Sequence, residues 1–164
     1  MTKLLLGIAI VAFTAFCGYF LAKKYRQKKL FFTQFEAFNE RFLTEISYAR
    51  RPIKEFVESY TYQGEFGGLL RDFFIGLEES SKEERMLLDE GEYNFLTKEE
   101  LRVVEDYFLM LGKGDSQSQK GYFTAQKTAL GKLRTQADET AKKYGDLYIK
   151  LGFLCGLLIL ILII

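Results

Sequence analysis

The sequence predicts an all-α protein in which two transmembrane helices flank a cytoplasmic antiparallel helical bundle. Three observations predict it: an uncharged run over residues 4–22, a second over 151–164, and helical spacing of apolar residues between them with a single proline. A helix needs about 20 apolar residues to cross a bilayer. We therefore expect an N-terminal span at residues 1–22, a bundle at 23–146 and a C-terminal span at 147–164.

The first run is long enough to cross the membrane unaided. A removed signal peptide is the rival interpretation, because a lysine precedes the apolar residues. No small-x-small cleavage site follows, however, and bulky Phe16 stands where a lipoprotein site at Cys17 needs a small residue. We expect the span to be retained.

The second run reaches the required length only if it includes Leu147 to Ile149 and Lys150 extends toward the headgroups. Residues 157–164 have no polar face, which a soluble surface helix needs. Because residues 116–164 contain no proline, we expect one long helix that continues into the span.

Small residues four apart occur on both spans: Gly18 and Ala22 on the first, Gly152 and Gly156 on the second. Such pairs let another helix approach closely. Either the two spans pack against each other, or Gly152 and Gly156 support self-association into a homo-oligomer.

Basic residues crowd the inner ends of both spans: Lys23, Lys24, Arg26, Lys28, Lys29, Lys142, Lys143 and Lys150. Cytoplasmic flanks collect lysine and arginine, so the bundle should be cytoplasmic and both termini should lie across the membrane. The same cluster could hold anionic lipid headgroups.

The middle of the chain is predicted to be helical throughout. Phe31, Phe35, Phe38 and Phe42 form one apolar stripe, which should stop before Pro52, where a short helix can begin. A third helix carries Phe66, Leu69 and Leu70, and residues 82–91 predict a weaker acidic helix. Thr97 and Glu100 form a capping box, and the long last helix should turn Tyr122, Ala129, Leu133 and Ala137 inward.

Charge is unevenly distributed although the net charge is only +1, which gives no reason to expect a nucleic acid partner. Residues 78–112 carry 11 acidic and 4 basic side chains, whereas the flanking segments are net basic. Such a run is often only a solvated face. The functional alternative is an acidic patch offered to a basic partner, with Glu99, Glu100, Glu105 and Asp106 as candidate contacts.

Catalytic chemistry is not predicted. The chain has no histidine and no glycine-rich phosphate-binding motif, and its two cysteines lie in the predicted spans. The commonest general base and metal ligand is therefore missing. We expect no catalytic residues, cofactor or metal, and thus no enzyme.

Several motifs in a fixed order resemble the stage III sporulation protein AB family. They are the glycine and basic exit at residues 18–26, EISY at 45–48, LTKEEL at 96–101, LGKGD at 111–115 and LGFLCGLL at 151–158. The sequence departs from the family pattern around Pro52 and over residues 78–95.

The resemblance implies a role that composition does not show. Such proteins look like a shortened type II secretion F platform protein in the mother-cell membrane around the forespore. There they would work with a secretion-like ATPase and other membrane proteins of a sporulation channel. The resemblance thus implies a non-catalytic scaffold; the alternative is a small membrane-anchored helical signalling or adaptor module.

Overall fold

The computed structural model describes residues 2–49, 52–79, 88–111 and 116–163. Every regular element in these ranges is helical, which confirms the all-α prediction. The helices are α1 (Thr2–Thr44), α2 (Ile53–Glu58), α3 (Gly64–Glu79), α4 (Lys98–Met110), α5 (Ser116–Thr140) and α6 (Asp146–Ile163). A π-helical turn, Glu45–Ala49, follows α1, and a second, Ala141–Gly145, joins α5 to α6 without an intervening loop.

The chain divides into two compact units. One comprises residues 1–29 and 136–164, so it contains both apolar runs. The other comprises residues 30–135 and contains most of the aromatic residues.

The unit of residues 30–135 is built around aromatic side chains. The predicted stripe of Phe31, Phe35, Phe38 and Phe42 is buried, and the α4 residue Tyr107 packs edge-on against Phe35 at 4.7 Å between ring centroids. Edge-to-face pairs of this kind add about 0.5–1.5 kcal/mol beyond the area they bury. Aromatic packing therefore joins α1, α3, α4 and α5 in one core.

Local sequence signals set several helix ends. Pro52 precedes the first residue of α2, and Thr97 caps α4: its hydroxyl accepts from the Glu100 amide at 3.3 Å while the Glu100 carboxylate accepts from the Thr97 amide at 2.8 Å. Gly64 begins α3 with a φ of +66°, a conformation that favours glycine. The capping box and the proline boundary agree with the prediction.

Two expectations about helices differ from the structure. The predicted acidic helix does not extend over residues 88–91, which are not helical; residues 82–87 lie outside the described ranges. On α5, Ala137 is buried as predicted, and Tyr122 and Leu133 are half-buried, but Ala129 is exposed and the buried positions beside it are Phe123 and Leu130. Phe123 faces inward because it packs against Phe42 at 5.0 Å and Tyr107 at 4.9 Å.

Two long helical stretches are apolar enough to cross a membrane, Gly7–Tyr48 and Gln117–Leu162. Only 17% and 11% of their most apolar 18-residue windows are buried within the protein. The core helix of a soluble protein is mostly buried, so these values favour a lipid environment for the most apolar part of each stretch.

Candidate membrane and partner interfaces

Glycines mark the closest approach between α1 and α6 in the unit of residues 1–29 and 136–164. A Cβ on Gly18 would lie 2.5 Å from the Tyr148 carbonyl oxygen, and one on Gly152 would lie 2.6 Å from the Thr14 carbonyl oxygen. Gly156 lies against Val11 and Thr14. Any side chain larger than hydrogen would have to push the two backbones apart.

The order of these contacts makes the pair antiparallel. Along α1, Gly7 contacts Leu160 of α6. Further along, Gly156 contacts Val11 and Thr14, and Gly152 contacts Gly18. Ala22 is fully buried one turn further along α1. The four predicted small residues, Gly18, Ala22, Gly152 and Gly156, thus lie in one unit of the same chain, as expected if the two apolar helices pack against each other.

A tyrosine stack continues the contact beyond the apolar segments. The Tyr25 ring of α1 stacks on Tyr144 and Tyr148, with centroid distances of 5.6 and 5.9 Å. The Lys24 ammonium lies 5.1 Å from the centre of the Tyr25 ring, and the Lys143 ammonium lies 5.3 Å from that of Tyr144. Such cation–π contacts hold a cation in place at little desolvation cost.

An ion cluster joins the same two chain segments. The Asp138 carboxylate accepts from Lys29 at 2.6 Å and from Lys142 at 2.7 Å. These two ammonium groups, Lys142 first, lower the pKa of Asp138 to about 2. Two of the predicted basic residues are therefore neutralised locally, while Lys23, Lys24, Arg26, Lys143 and Lys150 have exposed side chains.

The acidic candidates of α4 fall into two groups. Glu100 completes the capping box, and the Glu105 carboxylate accepts from the Leu88 amide at 3.0 Å, which fixes the start of the segment before α4. Glu99 and Asp106, two turns apart, are exposed. The Glu99 amide and the Thr97 hydroxyl hold the pKa of the Glu99 carboxyl below its usual range.

Beneath α4 lies a buried polar pair that the sequence analysis did not anticipate. The Tyr107 hydroxyl donates to the Asn39 side-chain oxygen at 3.0 Å, and the Asn39 amide donates to the Phe123 carbonyl at 3.2 Å. Neither side chain has any exposed surface, and burial raises the pKa of Tyr107 well above its ordinary value. The pair fixes the register of α1, α4 and α5.

A groove between α2 and α3 was also not predicted from the sequence. Its volume is about 380 Å³, and its lining combines apolar side chains such as Val57, Leu70 and Phe74 with the charged Glu58 and Arg71. Its residues are scattered over residues 57–75, so no sequence motif marks it.

Comparison with known protein families matches residues 3–164 to the family described as stage III sporulation protein AB. None of the curated proteins and none of the solved structures compared with the chain matches it.

Proposed function

This chain belongs to the stage III sporulation protein AB family, and we propose that it is a non-catalytic membrane platform of a secretion-like channel complex required for endospore formation. The family match carries the proposal. It covers residues 3–164 and thus includes both apolar segments and the aromatic unit. Family membership assigns the chain a role in stage III of sporulation; the scaffold role is our inference.

We infer that the protein crosses the mother-cell membrane around the forespore twice. Its helical bundle, residues 23–146, would then be cytoplasmic, with both termini on the other side. The concentration of basic side chains next to the inner ends of the apolar runs supports this orientation. The tight antiparallel contact at Gly18 and Gly152 supports two paired spans.

The bundle would dock the secretion-like ATPase of the same complex through the acidic face of α4. Glu99 and Asp106 support this because both carboxylates are exposed on a segment where acidic side chains outnumber basic ones. Glu100 and Glu105 stabilise the fold through their hydrogen bonds to backbone amides. Reversing their charge would disturb α4 whether or not a partner binds there.

The docking test therefore uses the double variant Glu99→Lys with Asp106→Lys. We expect it to lose most co-purification with the ATPase, because opposite charges at the contact become like charges. The matched control, Glu55→Lys with Glu58→Lys, makes the same charge change on α2 beside the groove. Loss of the ATPase only in the control would move the docking site to the groove, and loss in neither would contradict electrostatic docking.

Complementation tests the role itself. Expressed in an endospore former that lacks its own member of the family, this chain should restore heat-resistant spores. A strain in which the bundle is made without its two apolar segments should not. Equal rescue by the segment-free form would contradict a platform that acts at the membrane.

A further inference from the structure

The groove between α2 and α3 combines an apolar floor with tyrosine and arginine, which are enriched among the residues that dominate protein–protein binding. We propose that it is a docking site for an acidic amphipathic helix of a partner protein. The apolar side of that helix would lie in the groove, and its carboxylates would pair with Arg41 and Arg71. This surface uses other residues than the acidic face of α4, so either proposal can fail without the other.

The floor of the groove is apolar and only partly covered by the protein itself. Its volume of about 380 Å³ is lined by Val57, Leu70, Phe74 and Ile75, and Ile75 keeps 48% of its surface exposed. Small-molecule sites enclose most of their ligand. A helix that lies in a groove buries one face and leaves the other in water. An open groove between two helices therefore favours a helical occupant.

Arg41 of α1 lies against two tyrosines that line this groove. Its guanidinium is 4.5 Å from the centre of the Tyr60 ring and 5.3 Å from that of Tyr62. The tyrosine rings in turn pack edge-on against core side chains, Tyr60 against Phe56 at 5.5 Å and Tyr62 against Phe38 at 5.7 Å. A guanidinium that is positioned before binding loses less entropy when it pairs with a carboxylate.

The segment between α2 and α3 is fixed by close contacts on both sides. A Cβ on Gly67 of α3 would collide with the Tyr62 carbonyl oxygen, so glycine lets this segment lie directly against α3. The Gln63 amide of the same segment donates to the side-chain oxygen of Gln34 on α1 at 3.3 Å. The groove thus exists before a partner binds, which keeps the cost of ordering it low.

The charged side chains of the groove are available to a partner. Arg41, Arg71 and Glu58 are exposed, and none of them forms an ion pair with the residues that the structure describes. The exposed acidic neighbours Glu55 and Asp72 are not among the lining residues. Two arginines against one glutamate favour an acidic occupant. Glu58, on the α2 wall, would repel a carboxylate beside it and so restrict how the helix lies.

Photo-crosslinking of the full chain in its native host during sporulation tests the proposal. The variant Ile75→benzoylphenylalanine places a photoreactive group in the groove, and mass spectrometry of the cross-linked peptides identifies the segment it joins. We expect a segment of another protein with apolar residues three and four positions apart and Asp or Glu beside them. The same substitution at Thr128, exposed on α5, is the control and should not join that segment.

Arginine variants then test the charge pairing. In the Ile75→benzoylphenylalanine chain, Arg41→Gln with Arg71→Gln should lower the yield of this cross-link, relative to the amount of chain in the membrane, by about tenfold. The matched control, Glu58→Gln, changes a charge in the same groove and should leave the yield unchanged or raise it.

Four results would overturn the proposal. They are no cross-link at position 75, a cross-link to lipid or to a second copy of this chain, a cross-link to a basic segment, and an equal yield with and without the two arginines. A groove that binds through apolar contact alone would give the last of these results.

Discussion

Asn39 is a polar side chain with no exposed surface in a core made mainly of aromatic and aliphatic side chains. Its amide nitrogen donates one hydrogen bond and its oxygen accepts another, so neither atom is buried without a partner. A buried polar group without such partners would cost about 1–3 kcal/mol. The hydrogen bond between Asn39 and Tyr107 therefore adds little net stability by itself. Its main effect is to favour the one helix register in which both Asn39 atoms have partners.

Replacing Tyr107 with phenylalanine should reveal that dependence. Tyr107→Phe keeps the ring but leaves the Asn39 oxygen without its donor in a site that water does not reach, so we expect about 1–3 kcal/mol lower free energy of unfolding. Chemical denaturation of the full chain in detergent, monitored by far-UV circular dichroism, measures this change in the free energy of unfolding. Tyr122→Phe is the control, because the Tyr122 ring is partly exposed and its 3.4 Å hydrogen bond to the Asp106 carbonyl is long. An equal effect of both changes would contradict this role of Asn39.

Sequence patterns could place the phenylalanine stripe but not Asn39. An asparagine in a helix usually faces solvent, and nothing near Asn39 in the sequence indicates that Tyr107, 68 residues away, reaches it. Glu100 and Glu105 differ in the same way. The capping box made the role of Glu100 predictable, whereas the contact of Glu105 with the Leu88 amide depends on how a turn segment folds back.

At the level of helices, small residues decide how α1 and α6 meet. The α1 positions that contact α6 are 7, 11, 14, 18 and 25, and the buried Ala22 continues the series, so that successive positions are separated by 4, 3, 4, 4 and 3 residues. That spacing keeps one seam along the helix. Glycine at three of the facing positions of the pair, 18, 152 and 156, brings backbone against backbone.

Gly18→Ala should therefore destabilise the chain. The added Cβ would lie 2.5 Å from the Tyr148 carbonyl oxygen, and neither backbone can yield without separating the helices, so a loss of about 1–3 kcal/mol is expected. Gly121→Ala is the matched control, since a Cβ there meets no atom within 4 Å and alanine favours helix by up to about 1 kcal/mol. The midpoint temperature of thermal unfolding in detergent should fall for Gly18→Ala and should stay the same or rise for Gly121→Ala. A neutral Gly18→Ala would argue against a close helix pair.

Helix content was predictable from the sequence, but helix register was only partly so. On α5, Tyr122 and Phe123 both offer an aromatic ring, and Ala129 and Leu130 both offer an apolar side chain. Only packing against Phe42 and Tyr107 selects Phe123. The π-helical turn at Ala141–Gly145 adds a residue to the turn and shifts the inward face, and no local sequence signal announced it.

For the whole molecule, exposed apolar surface is the main physical constraint. Phe13, Phe16 and Phe20 of α1 are each about two-thirds exposed, and Leu158 and Leu162 of α6 are 62% and 85% exposed. Soluble monomers rarely expose contiguous apolar patches of this kind. The apolar runs made two helices long enough to cross a membrane predictable. The groove between α2 and α3 and the lysine-bearing tyrosine stack depend instead on contacts between distant residues.

The two cysteines provide a direct test of lipid coverage. Cys17 and Cys155 are exposed on the protein itself and lie inside the predicted spans. In sealed membranes we expect neither to react with a water-soluble maleimide polymer, because hydrocarbon excludes the reagent, and both to react fully after denaturation in detergent. Tyr48→Cys supplies the positive control, since Tyr48 is 85% exposed and lies in the predicted cytoplasmic domain.

The same variant also tests orientation. If the bundle is cytoplasmic, Tyr48→Cys should react in inside-out vesicles and resist the reagent in right-side-out ones. The opposite pattern would reverse the topology while leaving two spans intact. If Cys17 and Cys155 reacted in sealed membranes of either kind, the exposed faces of α1 and α6 would instead be covered by water and not by lipid.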